Sequence, residues 1–201
     1  MKKFACLILL PFALVTFTGC ITTRNAEVVD PKATKAIFEK KKVAVLPTRS
    51  PANFSTDSIL AVKKNIDLKL DQAMPTLLPS SAIINTNKTI NIVNDSNQIE
   101  TLDKLVTTYD STGVYNKKMV GALFSTIKCN YLVISRLKTE KLDIMISKAT
   151  GASLEVTILN GAGGVEWTGV GDFKRGGIFG FGGASANEIS EELVKLAFQN
   201  F

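Results

Sequence analysis

The feature that most restricts the fold is a stripe of apolar residues at helical spacing, Ile59, Val62, Ile66, Leu70 and Met74. It follows a short apolar run of buried-strand type, Lys42-Val43-Ala44-Val45-Leu46, closed by Pro47. A helix that is apolar along one stripe must bury it against another layer, and the run just before it supplies a strand of a sheet. The spacing predicts a helix from about Thr56 to Met74, stopped by Pro75 and Pro79. Ala82 to Asn85 reads as a second short strand, which Thr89 to Val93 would extend or follow with a strand of its own. Residues 96–109 and 116–128 read as helices, with the polar turn Ser111-Thr112-Gly113 between them.

The second half reads as β-rich. Tyr131-Leu132-Val133-Ile134 looks like a central strand, and three alternating segments follow: Leu142 to Ile146, Leu154 to Ile158, and Val165 through Trp167 to Phe173. One meander register places Ile146 opposite Leu154, Ile144 opposite Val156, Ile158 opposite Val165 and Val156 opposite Trp167. It gathers the large apolar residues on one face and leaves Asp143, Ser147, Glu155, Thr157, Glu166 and Thr168 on the other. Ser185-Ala186-Asn187-Glu188 is a capping box opening a last helix toward Phe201, with Ile189, Leu193, Leu196 and Ala197 inward. The expected fold is an α/β sandwich over residues 42–201, a mixed sheet with a C-terminal antiparallel meander covered by helices.

The N-terminus carries an address. Lys2 and Lys3, then an apolar stretch from Phe4 to Phe17, then Gly19-Cys20, follow the order of a secretory signal. Pro11 breaks the stretch, which is shorter than the roughly 20 residues of a bilayer span. The ending resembles a lipobox, with Phe17 where Leu is usual. That resemblance implies a bacterial lipoprotein in which residues 1–19 are removed and an acylated Cys20 starts the mature chain. Ile21 after the cysteine, where Asp would retain the protein at the inner membrane, implies the outer membrane, periplasmic side. Residues 21–41, polar and with Pro31, read as a tether with a reach of roughly 25 Å.

The sequence contains no histidine, which excludes Ser-His-Asp and Cys-His catalysis and histidine metal sites. Cys6 leaves with the signal and Cys20 is acylated, so Cys129 has no intrachain disulfide partner and reads as a small buried hydrophobe. No metal or cofactor is expected beyond the covalent lipid. Loss of Lys2 and Lys3 lowers the net charge from +6 to +4, a mild excess whose one dense cluster, Lys40-Lys41-Lys42, lies beside the tether. It lacks the basic face with interleaved aromatics of a nucleic-acid binder. Ser125-Thr126-Ile127-Lys128 matches the S-x-x-K of cell-wall Ser-Lys enzymes, but Lys138-Thr139-Glu140 lacks the glycine of their K-T-G element. Glu191 and Glu192 read as solvated charges on a surface helix.

Gly176 to Gly183 remains, a glycine and phenylalanine run before the last helix. Its phenylalanines could fold back on the domain or dock a partner or the membrane. A phosphate cradle at the helix start would be crowded by Phe179 and Phe181. Exposed aromatic patches mark interaction sites, so Gly177, Ile178, Phe179, Gly180, Phe181 and Gly182 form the candidate docking loop.

The lipobox, the V-A-V-L-P strand Val43 to Pro47, the N-Y-L-V-I strand Asn130 to Ile134, the Gly164-Val165-Glu166-Trp167 turn and the closing helix together resemble a group of envelope lipoproteins. The group shares the periplasmic domain of the curli-secretion lipoprotein CsgG, the synthase activator LpoB and the TolB N-terminal domain. The resemblance covers nearly all of the mature chain. It implies a noncatalytic module that binds envelope partners or itself. A curli-type pore subunit is an alternative, although barrel strands of about 9–11 alternating residues would have to come from segments that the core already claims.

Overall fold

The protein is described from a computed structural model covering residues 21–30, 35–50, 57–138, 151–176 and 184–201. Among these residues six strands form one mixed sheet: β1 (Ile21–Asp30), β2 (Lys42–Val45), β3 (Ala82–Ile84), β4 (Tyr131–Lys138), β5 (Gly151–Asn160) and β6 (Val165–Gly176). Their spatial order is β1-β6-β5-β4-β2-β3. β2 runs parallel to β3 and β4, and the remaining pairs are antiparallel. Five α-helices among the described residues flank it: α1 (Asp57–Leu77), α2 (Thr86–Asp95), α3 (Ile99–Thr112), α4 (Lys117–Ile127) and α5 (Ala186–Ala197). The α/β expectation holds.

Each face of the sheet carries its own core. On the first, Val43, Val45, Val133, Val156 and Trp167 pack with α1 and α5, and the α1 stripe from Ile59 to Met74 is buried throughout. On the second, Ala44, Leu46, Leu132, Ile134 and Leu159 pack with α2, α3 and α4. The short apolar run of β2 is thus a strand buried on both sides, which its unbroken hydrophobicity required. The N-cap of the box also forms as read: the Ser185 hydroxyl accepts the Glu188 N–H at 3.2 Å. Ser185→Ala is expected to cost about 1 kcal/mol, measured as a lowered urea midpoint at unchanged slope.

Several expectations change. α1 continues through Pro75 to Leu77. A proline that close to the end withdraws one N–H from the ladder, while Leu78 still donates to the Met74 carbonyl at 2.9 Å. Thr89 to Val93 is helical, within α2. Asn85 accepts the Lys88 N–H at 2.9 Å, and Asp71 of α1 accepts both the Thr86 N–H at 2.9 Å and its hydroxyl at 2.7 Å. Those caps outweigh the β-preference of Thr89, Ile90 and Ile92. The last helix ends at Ala197, short of Phe201.

The meander register also differs. β4 occupies one edge of β5, with Leu137 opposite Leu154 and Ser135 opposite Val156, and β6 occupies the other. The expected partnership of Leu154 and Val156 with residues 144–146 therefore has no free edge; those residues themselves lie outside the described ones. On the β6 side Ile158 faces Trp167 and Leu159 faces Val165, with a bulge between them. Glu166 is the extra residue, and its carboxylate accepts the Asn160 side-chain amide at 2.6 Å. The bulge turns Val165 to the second core while Trp167 keeps the first.

The segment read as a tether carries structure too. Residues 21–30 are the edge strand β1, paired with β6, and a 3₁₀ turn at Lys35–Phe38 buries Phe38 in the first core. The polar character of β1 is that of an edge strand, with Arg24, Asn25 and Glu27 exposed and Ala26 packed on the core.

Candidate functional site

The acylation candidate and the docking loop both lie outside the described residues, but the strands that lead to them are fixed. β1 starts at Ile21, the residue after Cys20, and Ile21 stands opposite Gly176, the last residue of β6. The chain therefore leaves β6 toward Gly177 at the end of the sheet where β1 begins. Gly151 pairs with Lys174 and Lys138 with Ser153, so the start of β5 and the end of β4 lie at this same end. The opposite end carries the β5–β6 turn, where the Asn160 side chain accepts the N–H groups of Ala162 and Gly164, both at 2.9 Å.

The other residues considered from sequence scatter. The Ser125 hydroxyl donates to the Gly121 carbonyl at 2.9 Å, and Lys128 caps α4 in a left-handed conformation; both are exposed. Lys40, Lys41 and Lys42 are exposed at the entry to β2. Cys129 is half-buried, and burial pushes its thiol up to about 11. Glu191 and Glu192 are not simply solvated. They reach Lys69 of α1 and Arg24 of β1, each at 3.2 Å, and tie α5 to both neighbours. Among the described residues no cluster of three or more His, Cys, Asp or Glu side chains could hold a metal. No helix among them is long and apolar enough to cross a membrane.

The concentration of chemistry that sequence reading missed is centred on Arg136. It sits in β4 on the second face, almost fully buried, with Glu155 of β5 directly opposite. Its guanidinium donates to Asp110 of α3 and, at 2.7 Å, to Glu155, whose other oxygen accepts from Lys138 at 2.8 Å. The Tyr109 ring covers the guanidinium, centroid at 4.0 Å, and stacks in turn on Tyr115 at 4.0 Å. Burial raises the Glu155 carboxyl, but the Lys138 hydrogen bond and the Arg136 charge outweigh it and hold the group below the ordinary carboxylate range. Burial drives the Tyr115 phenol above its usual range. Two acids and two bases leave the cluster neutral, as a buried ionic group requires.

Beside it Arg49, which bridges to Arg136 across the β2–β4 pair, reaches Asp103 of α3 at 3.3 Å. The carboxyl ends of parallel strands are where open α/β sheets usually bind ligands. Here α3 occupies that position and presents Asp103 and Asp110 to the two arginines. On the first face Asp67 of α1 accepts the Thr48 N–H at 2.7 Å and hydroxyl at 2.6 Å, and burial raises its carboxyl. The arrangement clamps α1 and α3 to the ends of β2 and β4. A signal for it was present in sequence, since Arg136 interrupts the apolar strand Tyr131–Lys138 and a charge at such a position must be paired.

The sequence matches no protein-family model and no curated protein sequence. Several solved structures are similar in fold, three of them as follows. A PelC dodecamer from Paraburkholderia phytofirmans is 10% identical over 87% of this chain and 92% of that one, with a TM-score of 0.45. The hypothetical protein CT253 from Chlamydia trachomatis is 11% identical over 80% of this chain and 92% of that one, TM-score 0.42. The LpoB C-terminal domain from Salmonella enterica is 8% identical over 67% of this chain and 82% of that one, TM-score 0.33. These are distant likenesses in the path of the chain.

Proposed function

We propose that this chain is an outer-membrane-anchored periplasmic lipoprotein, a noncatalytic binding or assembly subunit of an envelope complex that engages protein partners or further copies of itself. The observation that carries the reading is the start of β1. A strand integral to the sheet begins one residue after Cys20, so acylation there anchors a folded domain at its edge. Acyl chains contribute about 0.8 kcal/mol per buried CH₂, and two or more hold a protein stably at a bilayer. The strands that follow are committed to a core: Leu154, Val156, Ile158 and Trp167 are buried against helices, which leaves their first face no surface for lipid.

Mass spectrometry of the protein from membranes is expected to show a mature N-terminus at an acylated Cys20. Cys20→Ser should move the domain to the soluble fraction with its fold intact. An unacylated Cys20, or a variant that fractionates with membranes as before, overturns the anchor. Labelling of Ser125 by a β-lactam or fluorophosphonate probe overturns the noncatalytic reading.

A further inference from the structure

We propose that the end of the sheet where β2, β3 and β4 begin is a docking surface for the acidic face of another protein, held by exposed lysines. The inference rests on the reading of the domain as a binding subunit and names the chemistry of what it binds. Separate stretches of chain bring the lysines together. Lys40, Lys41 and Lys42 lead into β2, where Lys42 donates its N–H to the Asn130 side chain at 2.9 Å and stands opposite Ala82 of β3. Lys128 lies two residues before Asn130, in the left-handed cap of α4. Tyr131 pairs with Val43 on one side and Asn160 on the other, so β2 and β5 are two strand spacings of about 4.8 Å apart there. The turn that Asn160 opens meets α4 at its start: a methyl placed on Gly163 would fall 3.5 Å from the Lys117 Cα. Lys117 and Lys118 thus complete the cluster.

These charges are not balanced within the domain. All six lysines are exposed and none forms a salt bridge among the described residues, whereas Arg24, Arg49, Lys69, Lys104, Arg136 and Lys138, elsewhere in the domain, are each paired. Of the acids beside them, Glu166 is engaged by the Asn160 amide, and Glu39 is exposed and forms no salt bridge among the described residues. Lys117 and Lys118 stand in the first turn of α4, which holds no acid, although the positive end of a helix favours carboxylates there. Lys40 and Lys128 have φ of 58° and 56°, a left-handed backbone that suits glycine better. Like charges kept at positions that cost stability are the mark of a site completed by a counter-charge from outside.

Two observations favour protein over lipid as the source of that counter-charge. Of the exposed large apolar residues among the described ones, Leu60 and Leu68 lie on α1, and a single valine, Val114, precedes α4. A surface that settles into a bilayer interface intersperses several such residues and aromatics among its lysines. The cluster also stands at the other end of β6 from Cys20. Val165 faces Leu159, which faces Leu132 near the start of β4, and Gly176 faces Ile21. At about 3.3 Å per residue, the 12 residues of β6 span about 35 Å between them. Compact, hydrated ammonium groups on such a rim steer and orient a partner rich in carboxylates.

The test uses the full processed protein in phosphatidylethanolamine nanodiscs, with the acyl mass on Cys20 measured in the same samples so that the anchor is judged separately. Labelled poly-L-glutamate is the probe. Wild type is compared with the triple variant Lys41→Glu, Lys117→Glu, Lys118→Glu and with Lys64→Glu, a lysine exposed on α1. The triple variant is expected to bind about tenfold more weakly, with Lys64→Glu unchanged. Its urea midpoint should rise, because repulsion is removed and acids now open α4. A midpoint that falls instead would show that the lysines serve contacts within the chain, and overturns the proposal. In cells, a photo-crosslinking amino acid at Ala162, exposed in the turn beside Lys117, should join the domain to an Asp- and Glu-rich stretch of another polypeptide, and the triple variant should lose that product. Equal binding of poly-L-glutamate by the triple variant, or a crosslink that survives it, overturns the docking surface and leaves the binding-subunit reading standing. A crosslink to phospholipid gives this end to a membrane and likewise overturns it.

Discussion

Arg136→Ala is expected to lower unfolding free energy by about 3–5 kcal/mol, the cost of removing one partner from a buried ion pair. The loss comes from what is left behind. Glu155 remains buried with one oxygen stripped of its donor, Tyr109 loses the cation over its ring, and Asp110 loses its hold on β4. Asp110→Ala should cost much less, because that carboxylate is about one-third exposed and water replaces its partner. Arg136→Lys should not rescue, since a single ammonium cannot fork between Asp110 and Glu155. Arg136→Met with Glu155→Leu should recover most of the loss, because no buried charge is left unpaired: Asp110 and Lys138 lose these partners but are open to water. Urea unfolding of this set measures the coupling, and a double variant as unstable as Arg136→Ala would refute the ionic account.

The same cluster fixes a pH response. In the wild type the folded Glu155 carboxyl lies below its unfolded value. Its contribution is fully present above the ordinary carboxylate range and is lost as pH falls through the lowered folded value. Without Arg136, the burial that now opposes ionisation acts with less compensation. The variant's deficit should therefore narrow as pH falls and Glu155 protonates in both proteins.

Local signals made some of this architecture readable in advance. The stripe from Ile59 to Met74 and the Ser185 cap depend on neighbours within a turn or two, and both appear where the spacing placed them. Thr89 to Val93 misled because its fate is set from α1, through Asp71, by contacts 15 residues away in sequence. β1 was hidden because an edge strand buries little: Thr22, Thr23, Arg24 and Asn25 show a tether's composition, and only β6, far along the chain, makes them a strand. The Arg136 cluster draws on three separate elements, so its partners could not be paired from spacing. Cys20 and the glycine and phenylalanine run were each visible as motifs, but that Ile21 stands opposite Gly176 needed the register.

Gly169→Ala should be nearly as damaging as loss of Arg136, for a different reason. Gly169 and Gly171 lie on the first face of β6 between Trp167 and Phe173, where α5 crosses the sheet. A methyl at 169 would fall 2.1 Å from the Ala197 carbonyl oxygen and 2.3 Å from the Trp167 ring, and one at 171 would fall 2.6 Å from the Leu193 carbonyl oxygen. The obstacle is helix backbone, which has no rotamer to change, so α5 must lift away from β6. Lifting it also opens the stack of Trp167 on Phe198, centroids 5.2 Å apart, and the edge contact of Trp167 with Phe201 at 4.9 Å. Overpacking usually costs about 1–3 kcal/mol and sometimes more; a clash with backbone belongs at or beyond the upper limit. Gly121→Ala supplies the contrast, since its added methyl meets nothing within 4 Å in α4 and should stabilise by roughly 0.5–1 kcal/mol. Trp167 is the single tryptophan, so its fluorescence reports the displaced α5 directly. A Gly169→Ala protein with unchanged emission and an unchanged urea midpoint would show that α5 is not held against β6 as described.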